Sequence, residues 1–316
     1  MRFALDPEQR DFAASLDAAL GAADVPAAVR AWARGDTAPG RAVWARLSEL
    51  GVTALAVPEE FDGIGAHPVD LAVACERLGF WCVPGPVAES IAVAPVLLAD
   101  DERSAALASG EVIATVAMPP SVPWAVDADS AGLVLLAAGG TVADATAGEE
   151  HESVDPARRL FTVGADGGTR PADVERAFEF GALATAAQLV GAGQAMLDMT
   201  VEYAKQRSQF GRLIGSYQAI KHKLADVHIA LELARPLVYG AALALADGAT
   251  VARDVSAAKA AAADAALLSA RAALQTHGAI GYTTEHDLSQ WLLRVHALRP
   301  AWGDPGYHRR RVLEAV

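Results

Sequence analysis

A single change of pattern divides this chain and limits the folds open to it. Most of the sequence is rich in alanine and spaces its apolar residues at helical intervals, most clearly over residues 251–268. Between residues 110 and 166 the pattern changes to short apolar runs with β-branched residues, separated by paired prolines and glycines. The sequence therefore predicts a mainly α protein with a small central β domain of about five short strands.

Three regions follow from this pattern. We predict an N-terminal helical domain over residues 1–109, a small β domain over 110–168 and a C-terminal four-helix bundle over 169–316. Strands do not alternate with helices, so we expect no parallel nucleotide-binding sheet. The uncharged run 180–197 approaches the length of a membrane span, but its polar residues and the Asp198 that follows in the same helical pattern favour a buried bundle helix.

Charge and cysteine content narrow the function classes. With 26 basic and 39 acidic side chains the formal net charge is −13, which argues against a broad basic face for nucleic acid. Cys75 and Cys82 have neither a disulfide-scaffold nor a zinc-site spacing, and we expect buried thiols in a reducing cytoplasm. The first residues lack an apolar signal core, which favours the same location.

Familiar local motifs supply no catalytic site. The sequence has no glycine-rich dinucleotide fingerprint, Walker loop or nucleophile elbow. Ser256 and Lys259 match Ser-x-x-Lys, but they lie inside an alanine helix without the companion motifs. His222 and Asp226 are one helical turn apart and are expected on a solvated face, so no metal site is predicted.

Two C-terminal segments have a composition suited to a phosphate-bearing ligand. In residues 203–226 a basic, amide-rich helix end precedes a glycine-bounded loop and a second helix start, where Arg207 could clamp a phosphate beside free backbone N–H groups. In residues 275–288, Gln275 lies on a last helical turn, and Gly278 and Gly281 allow close approach to the backbone. Each segment taken alone also fits an ordinary helix turn or cap.

Together, the two segments resemble the C-terminal domain of acyl-CoA dehydrogenases. That family shows Arg-x-x-Phe-Gly, a helix with Gln-Ala-Ile/Val-x-x-x-Leu-Ala-Asp/Glu, and later Gln-x-x-Gly-Gly-x-Gly-Tyr/Phe. The matching residues here are Arg207, Phe210, Gly211, Gln218, Ala219, Leu224, Ala225, Asp226, Gln275, Gly278, Gly281 and Tyr282. Residues 50–63 resemble the family's N-terminal domain, so the similarity spans nearly the whole chain.

The resemblance implies an FAD-dependent α,β-desaturation of an acyl-CoA thioester. In that reaction a carboxylate removes the α-proton while a hydride passes from Cβ to flavin N5. FAD is expected to bind across a subunit contact. The cofactor-binding residues implied by position are Arg207, Gln209 and Phe210 on the pyrophosphate side, Gln218 at the helix start, and Gln275 and Gly278 toward the cofactor of the neighbouring subunit.

This chain departs from the family pattern where the chemistry occurs. Family members carry the catalytic Glu at one of two positions, which here hold Gly181 and Trp302, so the catalytic residue is unknown. Glu179, Glu285 and Asp304 are fallback bases without family support at their positions. The β domain is also short: Ala-Met-Pro-Pro-Ser at 117–121 stands where the family has Thr-x-Pro-x-x-Gly-Ser-Asp against flavin and substrate.

These departures favour a subunit that needs a partner. The chain resembles the shorter, base-lacking subunit of actinobacterial heteromeric dehydrogenases for bulky CoA thioesters such as steroid side chains. We predict that it completes the FAD site of a longer, Glu-bearing chain in an α2β2 tetramer.

The alternatives are a self-sufficient homo-oligomer using Glu285 or Glu179, a scaffold that has lost flavin, and a flavin monooxygenase on the same fold. The acyl group is not predicted. The arginines at 309–311 are expected to be solvated.

Overall fold

A computed structural model describes residues 4–248, 250–283 and 285–315 of the chain. The N-terminal part is helical, as predicted. Its helices are α1 (Pro7–Gly21), α2 (Val25–Trp32), α3 (Ala38–Glu49), α4 (Pro68–Phe80), α5 (Ala88–Leu97) and α6 (Ser104–Ala108), with 3₁₀ turns at Val52–Ala54 and Glu59–Phe61. Helix α5 begins with a π-helical stretch, Ala88–Val93.

One mixed sheet follows, and the predicted small β domain is confirmed. Its strands are β1 (Ala114–Ala117), β2 (Ala125–Val126), β3 (Leu133–Ala138), β4 (Thr141–His151) and β5 (Leu160–Pro171). The spatial order is β1-β3-β4-β5-β2, and only the β1–β3 pair among these strands is parallel. Strands β4 and β5 exceed the predicted short length because they form one long, bulged hairpin. The helices end before β1, but the exact domain boundaries stay a prediction.

The C-terminal part is the predicted bundle with one further helix. Its helices are α7 (Val174–Gln206), α8 (Gln218–Asp247), α9 (Val251–His277), α10 (Leu288–Leu298) and α11 (Pro305–Glu314). A hairpin of β6 (Ser208–Gln209) and β7 (Arg212–Leu213) joins α7 to α8.

The expectation of a solvated arginine tail is wrong for Arg311, which is partly buried, whereas Arg309 and Arg310 are exposed as expected. Asp304 caps α11, and Pro305 begins it, so the chain forms a helix that packs on α9. Arg311 then pairs with Glu179, and Arg309 pairs with Asp264.

Helix α7 lies at the centre of the hydrophobic core. Gly191 meets the backbone of α4 at Glu76, and Gly79 of α4 meets α7 at Gln188, so the two helices pack at backbone contact. Among the described residues, α7 and α8 over Gln218–Ala246 are long and apolar enough to cross a membrane. For α7, 94% of the apolar window is buried inside the protein, which agrees with the predicted bundle helix.

Candidate functional site

The two sequence-predicted segments meet at one end of the bundle. The Tyr203 ring, near the end of α7, stacks on the His277 ring at the end of α9 with 4.2 Å between centroids. Lys223 on the first turns of α8 donates a hydrogen bond to the Gln275 side chain on α9. The ends of α7 and α9 and the start of α8 therefore form a single surface.

The hairpin between α7 and α8 projects an aromatic side chain from that surface. Phe210 and Gly211 form its turn with φ values of 52° and 79°, as a two-residue hairpin with positive φ at both central positions requires. The backbone N–H of Ile214 donates to the Arg207 carbonyl at 2.8 Å, and the Arg212 guanidinium lies 3.8 Å from the Tyr217 ring centroid. The hairpin is thus held in place while the Phe210 side chain is 93% exposed.

All six predicted cofactor residues lie on this surface and are exposed; they are Arg207, Gln209, Phe210, Gln218, Gln275 and Gly278. We call them the bundle-end patch. Helix α8 begins at Gln218 without a side-chain cap, so its first N–H groups are available to an anion.

The chemistry of the patch fits part of an FAD molecule. Within the described ranges Arg207 makes no ion pair, which leaves its guanidinium free for a phosphate. Gln275 and Gln209 offer amide groups, and Phe210 offers a ring face. Because every group faces outward, a second surface is needed to enclose a cofactor.

The two family positions for the catalytic Glu lie against each other. A Cβ atom placed on Gly181 would come within 2.4 Å of Cε3 of the Trp302 ring. Trp302 is 1% exposed and adopts a positive φ of 56°. The indole therefore fills the space that a Glu at either position would enter.

Buried polar groups hold the turn that carries Trp302. Lys259, which is 0% exposed, donates to the carbonyls of Leu298, Arg299 and Gly303 at 3.0–3.3 Å. The Nε2 atom of His308 lies 2.8 Å from the Trp302 carbonyl. Desolvation lowers the pKa of Lys259 to about 7 and the pKa of His308 to about 4.

The three fallback bases are engaged or exposed elsewhere. Glu179 pairs with Arg311, and Asp304 accepts the Tyr307 N–H at 2.8 Å as the cap of α11. That backbone hydrogen bond holds the pKa of Asp304 below its usual range. Glu285 lies in an exposed turn.

Sequence reasoning missed the carboxylate that does contact Trp302. Glu89 on α5 is 1% exposed, and its Oε1 atom accepts the indole N–H of Trp302 at 3.1 Å. A signal was present, since Glu89 is the only charged residue between Arg77 and Asp100. A single charge in so apolar a helix is typical of a buried, specifically paired group.

The β domain has one tight turn at the position of the expected flavin contact. Strand β1 ends in a tight turn closed by hydrogen bonds between Met118 and Val122 at 2.6 and 2.8 Å. This turn stands where the family's flavin-contacting stretch is expected, and it leaves only a few residues to perform that role.

Comparisons with known proteins agree with the motifs. The family model for the acyl-CoA dehydrogenase C-terminal domain matches residues 172–316, and the model for the N-terminal domain matches residues 6–100. The chain is 34% identical over 319 residues to the acyl-CoA dehydrogenase IpdE2 of Mycobacterium tuberculosis, covering 98% of each chain. It is 35% identical over 323 residues to the acyl-CoA dehydrogenase FadE34 of the same organism, covering 93% of this chain but 45% of that one.

A solved structure shares the fold over its full extent. One chain of the ChsE4-ChsE5 complex from Mycobacterium tuberculosis superposes with a TM-score of 0.86 at 21% identity, covering 99% of this chain and 98% of that one. The matched domains, the long alignment to IpdE2 and this common fold lead to one conclusion: the chain belongs to the acyl-CoA dehydrogenase family.

Proposed function

We propose that this protein is an FAD-dependent acyl-CoA dehydrogenase subunit that completes the FAD site of a longer, Glu-bearing partner chain. The observation that carries the proposal is the combination of an exposed bundle-end patch with a filled catalytic position. The chain offers groups for a cofactor outside its own core, while Trp302 covers Gly181 inside it.

The patch is suited to a cofactor that a second chain also contacts. Arg207 would pair with a phosphate, the first turn of α8 would donate N–H groups beside it, and Gln275 would meet a polar edge. Phe210 would lose most of its exposed apolar surface only if another molecule covered it. When bound, FAD supplies the hydride acceptor of the dehydrogenation.

The base is proposed to come from the partner. Neither Gly181 nor Trp302 can accept a proton, and Glu179 is held by Arg311. The partner's carboxylate would remove the α-proton, while this chain would bind and orient the cofactor and exclude water from its exposed side.

Two of the relatives support a two-chain arrangement. The ChsE4-ChsE5 structure is by its title a complex of two different chains. FadE34 is more than twice as long as the segment that this chain matches, since that segment is 45% of its length. Both observations are compatible with a chain of this size acting together with a second dehydrogenase chain. We propose a tetramer with two copies of each chain.

The proposed substrate is an acyl-CoA thioester of lipid or steroid metabolism, and the proposed location is the cytoplasm. Cys75 and Cys82 are free and buried, and burial raises the pKa of these thiols to about 12 and about 11. Unreactive, unpaired thiols are compatible with a reducing compartment.

The test uses the complex of this chain with a longer acyl-CoA dehydrogenase encoded beside it. We expect Arg207→Gln and Phe210→Ala each to weaken FAD retention by about tenfold or more, because each removes a phosphate or ring contact worth about 1.5 kcal/mol. Arg10→Gln and Leu313→Ala are matched controls, since both residues are exposed and lie outside the patch. Unchanged FAD content and turnover in both patch variants would refute the proposal.

A further inference from the structure

A cavity of about 350 Å³ opens where the three regions of the chain meet. Its walls come from α2, from α10 and from residues 155–157 in the loop that joins β4 to β5. Of the described residues that line it, none belongs to the bundle-end patch or to the turns at 118–122 and 298–303. The cavity is therefore separate from the residues discussed above for cofactor and base.

Most of the cavity wall is apolar. Val29 and Ala33 of α2, Ala157 of the loop and Leu293 of α10 contribute to it. A single water molecule takes about 30 Å³, whereas pockets that bind small molecules begin at about 300 Å³ and are lined mainly by apolar side chains. The size and the lining therefore suit a small molecule with an apolar body.

One polar atom of this wall lacks a hydrogen-bond partner. The side chain of Gln290 donates through Nε2 to the carbonyl of Pro26 at 3.2 Å, which fixes the orientation of its amide group. The Oε1 atom of the same amide is buried and accepts no hydrogen bond from the described residues. Buried acceptors without a partner are rare, so this atom indicates a ligand that brings an N–H or O–H group.

Two guanidinium groups lie at the exposed end of the cavity. Arg30 and Arg34 are one helical turn apart on α2, and both line the cavity. Arg30 pairs with Asp287, whereas Arg34 is exposed and makes no ion pair within the described ranges. The Arg34 guanidinium is thus available to an anionic group at the end of a ligand.

The acidic residue on the wall does not neutralise Arg34. The carboxylate of Asp155 accepts a hydrogen bond from Nε of Arg294 at 2.6 Å and another from the N–H of Ala157 at 2.9 Å. Asp155 and Arg294 are buried together, so the charge of each is balanced by the other. A positive charge at the entrance remains, although the chain as a whole has a net charge of −13.

We propose that this cavity binds a small apolar carboxylate, which pairs with Arg34 and donates a hydrogen bond from its far end to Gln290. The ligand would contact the N-terminal helices, the β domain and the bundle at once, because each contributes one wall. Binding to the folded chain alone raises its stability, so the ligand should also raise the melting temperature.

The experiment measures binding to the full chain by calorimetry with three probes. The first, 4-(4-hydroxyphenyl)butanoate, carries both polar ends. The second, 4-phenylbutanoate, lacks the hydroxyl group, and the third, 4-(4-hydroxyphenyl)butanamide, lacks the negative charge. We expect the first probe to bind about fivefold more tightly than the second and about threefold more tightly than the third, because each loses one contact.

Two variants separate the two contacts. Arg34→Gln should lose the preference for the carboxylate over the amide and keep the preference for the hydroxyl group. Gln290→Met, which removes the acceptor at similar volume, should do the reverse. Arg10→Gln changes an exposed arginine outside the cavity and should keep both preferences. A melting temperature for each variant without ligand shows whether the fold is retained, and Arg34→Gln alters only an exposed side chain.

Three results would overturn the proposal. No binding of the first probe at millimolar concentration would leave the cavity to water alone. Equal affinity for the three probes would remove both polar contacts. An unchanged carboxylate preference in Arg34→Gln, or an unchanged hydroxyl preference in folded Gln290→Met, would place the probe elsewhere. None of these results bears on FAD retention through Arg207 and Phe210, so failure here is distinguishable from failure of the proposed function.

Discussion

Substitution of Gly181 tests whether Gly181 and Trp302, the two positions at which the family carries its catalytic Glu, pack against each other. In Gly181→Ala the new methyl would lie 2.4–2.8 Å from three atoms of the Trp302 ring. Carbon atoms pack at about 3.5–4.0 Å, so the ring or α7 must move by about 1 Å. Overpacking of this kind costs about 1–3 kcal/mol, and the better helix propensity of alanine offsets about 1 kcal/mol of it, so we expect a net loss near 1 kcal/mol.

The double variant carries the decisive information. Trp302→Ala alone should cost about 3–5 kcal/mol, because it removes a buried indole and leaves a cavity. With the indole gone, the methyl that Gly181→Ala introduces enters vacated space and its cost disappears. Only the gain in helix propensity then remains, so the double variant should be about 1 kcal/mol more stable than Trp302→Ala, which gives a coupling energy of about −2 kcal/mol.

The assay is urea unfolding of the full chain and its variants, with m-values compared to confirm that the transitions are alike. The matched control is Gly193→Ala, whose methyl would meet Leu231 at 2.7 Å and which lies about 18 Å further along α7. Its effect should add to that of Trp302→Ala within about 0.5 kcal/mol. Additive costs for Gly181→Ala and Trp302→Ala would refute the placement of Trp302 on Gly181.

Three further predictions concern polar side chains at or next to helix α11. The pKa of Lys259 is about 7 in the folded protein and 10.5 in the unfolded chain, so the folded state binds fewer protons between these pH values. The stability of the wild type relative to Lys259→Met should therefore rise with pH across that window, by up to about 1.4 kcal/mol per pH unit. Urea titrations at several pH values measure this difference, and a difference that does not change with pH would contradict the prediction. Glu179→Gln should lower the free energy of unfolding by about 2 kcal/mol, because it weakens the contact with Arg311. Turnover of the two-chain complex should stay unchanged. Loss of turnover in a folded variant would instead identify Glu179 as the base. Asp304→Ala should lower the stability by about 1 kcal/mol at neutral pH, because it removes the cap of α11. Since the pKa of Asp304 is lowered in the folded protein, this difference in stability should shrink as the pH falls below the ordinary carboxyl range. A difference that stays constant during acid unfolding would contradict the capping role.

Much of the fold was predictable because its signals are local. Alanine-rich helical periodicity and the β-branched runs of the middle region depend on neighbouring residues, and they predicted the helical parts and the sheet. Helix α11 was missed because its stability depends on a cap at Asp304 and on packing against α9 as much as on apolar periodicity. The long β4–β5 hairpin was underestimated, because exposed glycine, alanine and polar residues over 146–150 and 164–169 interrupt the apolar pattern of its strands.

The site divides in the same way. The residues of the bundle-end patch were identified from motifs, and the structure brings their segments together. Gly181 and Trp302 are 121 positions apart in the chain. Nothing in the local sequence shows that the glycine at one family position makes room for the indole at the other. The partnership of Glu89 with Trp302 and Arg158 depends likewise on three separate elements, so only the isolated charge of Glu89 was visible in advance.

The central claim is that this chain completes a cofactor site without forming one alone. The most direct test is to purify the chain by itself and together with the longer dehydrogenase, and to measure the visible absorbance of bound flavin and acyl-CoA dehydrogenation in both preparations. The account predicts no retained FAD and no turnover for the chain alone, and both FAD and turnover for the complex. Robust dehydrogenation by the isolated chain, with FAD bound, would contradict it.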